Sequence, residues 1–305
     1  MRRSNKRDDV FRFIVFVTHI VFVTQIFGKV LVMSHHCAQP FLVGLQARTF
    51  QKFSKDDYEL VIFNDAKTAA LEEEIRGECE KYGVRCIRID QSIHALPYLK
   101  RWPREDYNHP SVRTANVVQY SLDVMGFNHP GLVVIIDSDM FPTKEFSFAQ
   151  LMGERDLMGC LQCRNLKNKI FVEYLWNGLV FFNMPTLPDK RSIDFNCGFV
   201  DRVAVDTGGQ THHYLKKYRS AISFFHLDTF LFSVLSERHF AGTLEPCFSH
   251  LIPLIEKHPP LSMEVYCDGI FFHIRGGGLW ETPHLEESYA KGRCVNDFIN
   301  SLLET

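Results

Sequence analysis

The chain lacks a charge excess, a linker and a repeat. Its 305 residues hold 34 Lys and Arg against 36 Asp and Glu, a formal net charge of −2. Nucleic-acid-binding domains usually carry clustered basic residues, so we expect no nucleic-acid partner. No Gly/Ser-rich or Pro-rich linker divides residues 29–305, and no internal repeat is evident. We therefore predict one large domain over 29–305 and exclude a repeat array.

A zinc site built on cysteine is also not indicated. The nine cysteines are irregularly spaced, and their odd number leaves at least one unpaired. Cys160 and Cys163 form one C-x-x-C, but no second such pair and no histidine pair follows at zinc spacing. We expect structural thiols or a single disulfide.

The N-terminal residues resemble a signal anchor. The segment MRRSNKR carries four positive charges and precedes an apolar run from Phe13 to Phe27. This layout predicts a single-pass type II membrane segment within residues 10–28, with the remaining chain in a lumen or outside the cell. The run is shorter than the roughly 20 residues of a spanning helix. A hydrophobic helix or strand packed on a cytoplasmic or membrane-peripheral protein is the alternative, and no N-x-S/T sequon supports luminal exposure.

Short apolar runs alternate with helical patterns in the first half of the chain. Alternation of this kind predicts an α/β fold whose sheet is mostly parallel and flanked by helices. The predicted strands are KVLVMSHH, Tyr58–Ala66, VRCIRID and Leu132–Ile136, and the predicted helices are Gln39–Phe53, Ala69–Tyr82 and Ser111–Met125.

Asn64 and Asp65 follow the second predicted strand. Ligands of open α/β sheets bind beyond the carboxyl ends of the strands, so these residues are candidate contacts to a nucleotide. Asn and Asp also cap helices and form turns, which is the alternative role.

The sharpest motif is Asp137-Ser138-Asp139, directly after five apolar residues. Two carboxylates placed together repel each other unless a cation holds them, and hard oxygen ligands suit Mg²⁺ or Mn²⁺. A cation here would bridge the two phosphates of a nucleotide diphosphate and offset the charge of the leaving group. An aspartate after a strand is also typical of haloacid dehalogenase-like phosphatases, although Phe141 stands where that motif usually has Thr or Val.

With this motif, the chain resembles a glycosyltransferase of the GT-A fold over roughly residues 29–285. Its motif order is similar to that of the glycogenin-like and lipopolysaccharide-galactosyltransferase-like families. The resemblance implies a Rossmann-like, mixed but mostly parallel sheet, with a nucleotide-binding half over about 29–145 and an acceptor half over about 146–305. It further implies Mn²⁺ or Mg²⁺ and a nucleotide-sugar donor, with a UDP-sugar favoured.

Two later motifs are similar to donor-site motifs of these families. In YLWNGLVFFNM, Asn177 would face hydroxyls of the donor or acceptor, whereas the alternative is a buried strand with a turn at Asn177-Gly178. In FFHIRGGGLW, His273 resembles the third metal ligand, and Arg275 and Gly276 would belong to the diphosphate loop. The families often have Lys-Pro before the Trp, and this chain has Gly-Leu there. Arg275 could bind phosphate in place of that lysine.

Two further aspartates are candidates for the catalytic role. Asp228 in HLDTFLFSVL resembles the family's second acidic motif and is predicted to start an amphipathic helix, which it could equally well only cap. Asp206 in VDTGGQTHHYL lies in a glycine-containing segment that could approach an acceptor or form a simple turn. Such an aspartate would be the general base of an inverting enzyme, or would contact the sugar in a retaining one.

The resulting hypothesis is a metal-dependent transferase that moves a hexose from a nucleotide-diphosphate sugar to a glycan, lipid or protein. The alternatives are a phosphate-ester hydrolase or nucleotidyltransferase that uses the same aspartate pair, or a non-catalytic carbohydrate-binding protein.

Overall fold

The computed structural model describes residues 28–95, 110–165, 171–232, 246–257, 263–274 and 285–305. Its strands are β1 Val30–His36, β2 Tyr58–Asn64, β3 Arg85–Arg88, β4 Leu132–Asp137, β5 Met140–Pro142, β6 Leu157–Asn165, β7 Phe171–Asn183, β8 Gly198–Val200, β9 Val203–Val205, β10 Phe224–His226, β11 Thr229–Phe232, β12 Met263–Tyr266 and β13 Phe271–Ile274. Its α-helices are α1 Phe41–Phe53, α2 Ala69–Lys81, α3 Pro110–Val124, α4 Phe148–Met152, α5 Thr211–Tyr218, α6 Ile252–Lys257 and α7 Leu285–Glu304.

The main sheet has seven strands in the order β10-β6-β7-β4-β1-β2-β3. β1 pairs in parallel with β2 and β4, β2 with β3, and β6 with β10. The long strand β7 runs antiparallel to both of its neighbours, β4 and β6. The predicted α/β fold with a mixed, mostly parallel sheet is therefore confirmed.

Helices cover both faces of this sheet because its central strands are apolar on both sides. Val30 and Val32 of β1 pack in the same core as α1, α2 and α7, whereas Leu31 and Met33 pack in a second core with α3 and α5. Alternate residues of a strand point to opposite faces, so one continuous apolar run supplies both cores.

A second, antiparallel sheet of four strands, β11-β12-β13-β5, extends the structure beyond β4. β5 begins three residues after Asp137 and pairs with β13, with Met140 opposite His273. The short link between β4 and β5 thus carries the chain from the main sheet into the second one. Phe272 of β13 stacks on Phe298 of α7, with ring centroids 4.5 Å apart, which attaches this sheet to the C-terminal helix.

One local prediction is wrong, and one alternative holds only in part. Asp228 does not start a helix, because Thr229–Phe232 forms β11, which pairs antiparallel with β12. The β-branched and aromatic residues of that segment favour a strand when a partner strand is available. At Asn177-Gly178 the alternative of a buried strand is correct but its turn does not form, since β7 continues through both residues.

Several predictions fall outside the described residues. They concern residues 10–27 of the predicted membrane segment and the predicted diphosphate-loop residues Arg275 and Gly276. Across the described parts of the chain, no helix has the length and apolar character to cross a membrane. The eight cysteines whose side chains the structure describes are free thiols.

Candidate metal and nucleotide site

The candidate site lies where the strand order of the main sheet changes direction. The next two strands of the chain, β2 and β3, lie on one side of β1, and β4 lies on the other side. Parallel pairing places His35 at the end of β1 opposite Asp137 at the end of β4. Open α/β sheets bind ligands at such a switch point, beyond the carboxyl ends of the strands.

Asp137, Asp139 and His273 converge at this point. His273 Nε2 is 3.2 Å from Asp139 Oδ1 and 3.8 Å from Asp137 Oδ2. One ligand atom from each of the three residues lies within 4.8 Å of the others, and no other group of three His, Cys, Asp or Glu residues does so among the residues described. The predicted ligand set, drawn from residues 136 positions apart, is therefore brought together by the pairing of β5 with β13.

The three side chains of this group strongly affect one another's ionisation. Burial and the neighbouring carboxylate of Asp139 raise the pKa of Asp137 to about 7. Burial opposes the charged form of His273, but Asp139, Glu264 and Asp137 together raise the pKa of His273 to about 10. One imidazole thus lies beside two carboxylates, and its positive charge can balance only one of them. A divalent cation would relieve the repulsion between the carboxylates.

Neighbouring polar side chains fix the position of the first aspartate. Asn177 of β7 donates from Nδ2 to Asp137 Oδ1 at 3.2 Å. Gln46 of α1 donates to the backbone oxygens of Asp137 at 2.7 Å and Met140 at 3.1 Å, which spans the link between β4 and β5. His36 Nε2 in turn lies 3.1 Å from Gln46 Oε1. Asn177 thus lies at the predicted site, while Gln46 was not predicted.

An aromatic group closes one side of the site. The ring of Trp176 stacks on Tyr266, with centroids 5.5 Å apart, and meets His273 edge-on at 5.2 Å. Gly178 makes room for this arrangement, because a Cβ there would lie 2.1 Å from two carbons of the Trp176 indole. The Trp-Asn-Gly sequence therefore places an indole against His273 and an amide against Asp137.

We expect Gly178→Ala to destabilise the protein by about 1–3 kcal/mol, because the added methyl must push the indole out of its stacked position. Gly77→Ala is the matched control. Gly77 lies in α2, and a Cβ there would meet nothing within 4 Å, so that substitution should stabilise by about 0.5–1 kcal/mol. Urea unfolding of both variants measures the two changes. Equal effects in the two variants would contradict the packing role of Gly178.

Asn64 and Asp65 lie at the end of β2, as predicted, but their side chains bind protein groups. Asn64 Nδ2 donates to the backbone oxygen of Glu72, and its Oδ1 accepts from the amide of Ala66. Asp65 forms a buried cluster with Gln91, His94 and Arg113. Their role toward a nucleotide stays a prediction.

Asp206 and Asp228 occupy the acceptor half at different places. Asp206 follows β9, and its Oδ1 accepts from the amide of Thr207 at 2.8 Å. The next residues pack on β7, since Gly208 has φ +87 and a Cβ there would lie 2.0 Å from the Leu175 oxygen. Asp228 is exposed between β10 and β11 and precedes Thr229, the partner of Tyr266 in the second sheet. Neither aspartate joins the three-residue metal group.

Glu264 was not predicted, although it lies beside the site. It is the cross-strand partner of His273, and Nδ1 of that imidazole is 2.8 Å from its Oε2. The only signal in the sequence is one acidic residue within the short apolar strand MEVY. Only the pairing of β12 with β13, which the sequence does not reveal, places this glutamate beside His273.

No protein-family model matches the chain, and no curated protein matches it. Solved structures similar to it include the apo form of WbbM, a bifunctional glycosyltransferase, at 12% identity and TM-score 0.42, over 65% of this chain and 38% of that one. Another is a mannosyltransferase from Pyrobaculum calidifontis in complex with GDP-Man and Mn²⁺, at 11% identity and TM-score 0.40, over 67% of this chain and 55% of that one.

A third is glucosyl-3-phosphoglycerate synthase from Mycobacterium tuberculosis in complex with phosphoglyceric acid. It has 12% identity and TM-score 0.37, over 65% of this chain and 68% of that one. The aligned parts span less than two thirds of the first two of these proteins.

Proposed function

We propose that this protein is a metal-dependent glycosyltransferase that uses a nucleotide-diphosphate sugar, with a UDP-sugar as the favoured donor. The observation that carries the proposal is the convergence of Asp137, Asp139 and His273 at the switch point of the sheet. A nucleotide that lies across the carboxyl ends of β1, β2 and β4 would bring its diphosphate to this group.

The donor set fits Mn²⁺ or Mg²⁺. The two carboxylates supply hard oxygen ligands, which suit both ions. An imidazole binds Mn²⁺ more readily than it binds Mg²⁺, so Mn²⁺ is the better match. When bound, the cation supplies charge neutralisation at the diphosphate leaving group. Within the protein, Asn177 and Gln46 keep Asp137 in place, and Arg275 and Gly276 would complete the diphosphate loop.

The acceptor would approach from the half of the chain after residue 145. In this proposal, Asp228 or Asp206 accepts the proton of the attacking hydroxyl or contacts the sugar, and Asn64 and Asp65 border the nucleotide. Asp228 is exposed and precedes the strand that carries the partner of Tyr266, a position open to a large glycan, lipid or protein acceptor. Residues 10–28 would hold this domain at a membrane, with the domain on the luminal or extracytoplasmic side.

Titration of UDP and GDP into the purified full chain, with and without Mn²⁺, tests the donor class. We expect one of the two nucleotides to bind with an affinity that Mn²⁺ raises at least about tenfold, because the phosphates otherwise face two carboxylates. Calorimetry measures both affinities. CMP serves as a comparison nucleotide with one phosphate.

Asp139→Ala should abolish the effect of Mn²⁺, whereas Asp297→Ala should not, since Asp297 is exposed on α7 and outside the metal group. Failure of both UDP and GDP to bind, with or without CMP binding, would overturn the proposal. Release of phosphate from simple phosphate esters would favour a hydrolase, and sugar binding indifferent to metal and nucleotide would favour a carbohydrate-binding protein.

A further inference from the structure

Glu264 and His273 face each other across the β12–β13 pair, behind the metal-ligand group. We infer that Glu264, itself held by Tyr266, is a positioning residue that fixes which nitrogen of His273 binds the cation. This inference rests on the proposed metal site. It adds to that site a residue that touches neither cation nor substrate and acts through the imidazole.

The two nitrogens of His273 have different partners. Nδ1 lies 2.8 Å from Glu264 Oε2, whereas Nε2 points to Asp139 Oδ1 at 3.2 Å and Asp137 Oδ2 at 3.8 Å. A carboxylate accepts a hydrogen bond but cannot donate one, so Glu264 keeps the proton on Nδ1. When a cation binds, the proton that leaves the ring is therefore the one on Nε2, and the lone pair that replaces it faces the two aspartates.

Glu264 is restrained on its own side. The hydroxyl of Tyr266 donates to the same Oε2 at 2.8 Å. Trp176 contacts the rings of both Tyr266 and His273, so the imidazole is packed on one side and hydrogen-bonded at its far nitrogen. The side chain of His273 is only 9% exposed, which leaves little room for a different ring orientation.

Glu264 does not belong to the cation shell itself. The group whose ligand atoms lie within 4.8 Å of one another contains the two aspartates and His273, with the imidazole between Glu264 and the aspartates. A carboxylate behind a ligating imidazole is a recurrent arrangement, in which it fixes the orientation and raises the basicity of the ligand. Loss of such a partner typically weakens metal binding roughly 10- to 100-fold.

The test compares Mn²⁺ binding by the full chain with that of Glu264→Ala, Glu264→Gln and Tyr266→Phe, measured from the paramagnetic resonance of free Mn²⁺, alone and with UDP or GDP. We expect Glu264→Ala to weaken binding roughly 10- to 100-fold. Glu264→Gln should weaken it less, because the amide oxygen still accepts from Nδ1. Tyr266→Phe should have the smallest effect, and thermal unfolding in EDTA identifies any variant that fails to fold.

A spin-echo measurement separates positioning from simple stability. In the unaltered protein, the nitrogen of His273 should modulate the Mn²⁺ echo, and Glu264→Ala should reduce this modulation in the Mn²⁺ that remains bound. Unchanged affinity and unchanged modulation in folded Glu264→Ala and Glu264→Gln, with Mn²⁺ bound normally by the unaltered chain, would overturn this inference and leave the proposed function intact. Absence of Mn²⁺ binding by the unaltered chain would overturn both.

Discussion

Asp139→Asn is expected to lower the release of sugar from the nucleotide donor by about 10³-fold. Asp139 contributes an oxygen 3.2 Å from His273 Nε2 and is 8% exposed, so its charge acts on any cation in the group with little screening by water. The neutral amide keeps the shape of the side chain but loses that charge. The effect should therefore appear in kcat and not only in donor affinity.

Hydrolysis of the donor in the absence of an acceptor provides the measurement, since it requires no knowledge of the acceptor. Asp297→Asn, on the exposed face of α7, is the matched control and should leave the rate unchanged. Removal of metal with EDTA should lower the donor hydrolysis of the unaltered protein toward the level of the Asp139 variant, and Mn²⁺ should restore only the unaltered protein. Equal recovery of both proteins by Mn²⁺ would contradict a ligand role for Asp139.

The sequence predicts the first half of the fold well because local signals there agree. The predicted strand KVLVMSHH becomes β1, and the segment Tyr58–Ala66 contains β2. The predicted helices Gln39–Phe53 and Ala69–Tyr82 agree with α1 and α2 within two residues at each end. The two strands are apolar runs bounded by polar residues, and α2 is a charged segment that Thr68 caps by accepting from the amide of Leu71.

The second sheet is less predictable because its strands are short and depend on distant partners. β11 has four residues, and its pairing with β12 overrides the helical pattern that we expected after Asp228. The three residues of the metal-ligand group can be predicted because each belongs to a motif that is visible in the sequence, Asp137 and Asp139 to D-S-D and His273 to FFHIRGGGLW. Glu264 and Gln46 could not be predicted in the same way, since each acts only after β13 or α1 is in place.

The residue predicted to contact a nucleotide at the end of β2 is also the centre of a buried charge cluster. Asp65 Oδ2 accepts from Arg113 of α3 at 2.8 Å, and Oδ1 accepts from His94 at 2.8 Å and Gln91 at 2.9 Å. The side chains of Asp65 and Arg113 are 5% and 11% exposed. Because water solvates neither charge well, each charged side chain is stabilised mainly by the other and by its hydrogen bonds.

Arg113→Met should therefore destabilise the protein by about 3–5 kcal/mol at neutral pH, because it leaves the Asp65 carboxylate buried without its cation. Arg76→Met is the matched control. Arg76 pairs with Glu73 and Glu80 on the exposed surface of α2, where ion pairs contribute little, so its loss should change the unfolding midpoint only slightly. Urea unfolding of the two variants gives the comparison, and equal effects would contradict the burial of the charge cluster.

The destabilisation by Arg113→Met should also depend on pH with a definite sign. Burial opposes ionisation of Asp65, but the hydrogen bond from His94, the charge of Arg113 and the amide of Gln91 hold the pKa of Asp65 below its ordinary value. A carboxyl with a lowered folded pKa stabilises the native state above its unfolded pKa of about 4, and this stabilisation disappears as the pH falls through the folded pKa.

The difference in stability between the unaltered protein and the variant should thus be largest near neutral pH. It should shrink as the pH falls below about 4 and vanish below the lowered folded pKa of Asp65, where this carboxyl is protonated in both proteins. Asp65→Asn combined with Arg113→Met should recover part of the lost stability, since the double variant leaves no buried unpaired charge. A difference that stays constant across this pH range would show that Arg113 contributes through packing and not through the charge of Asp65.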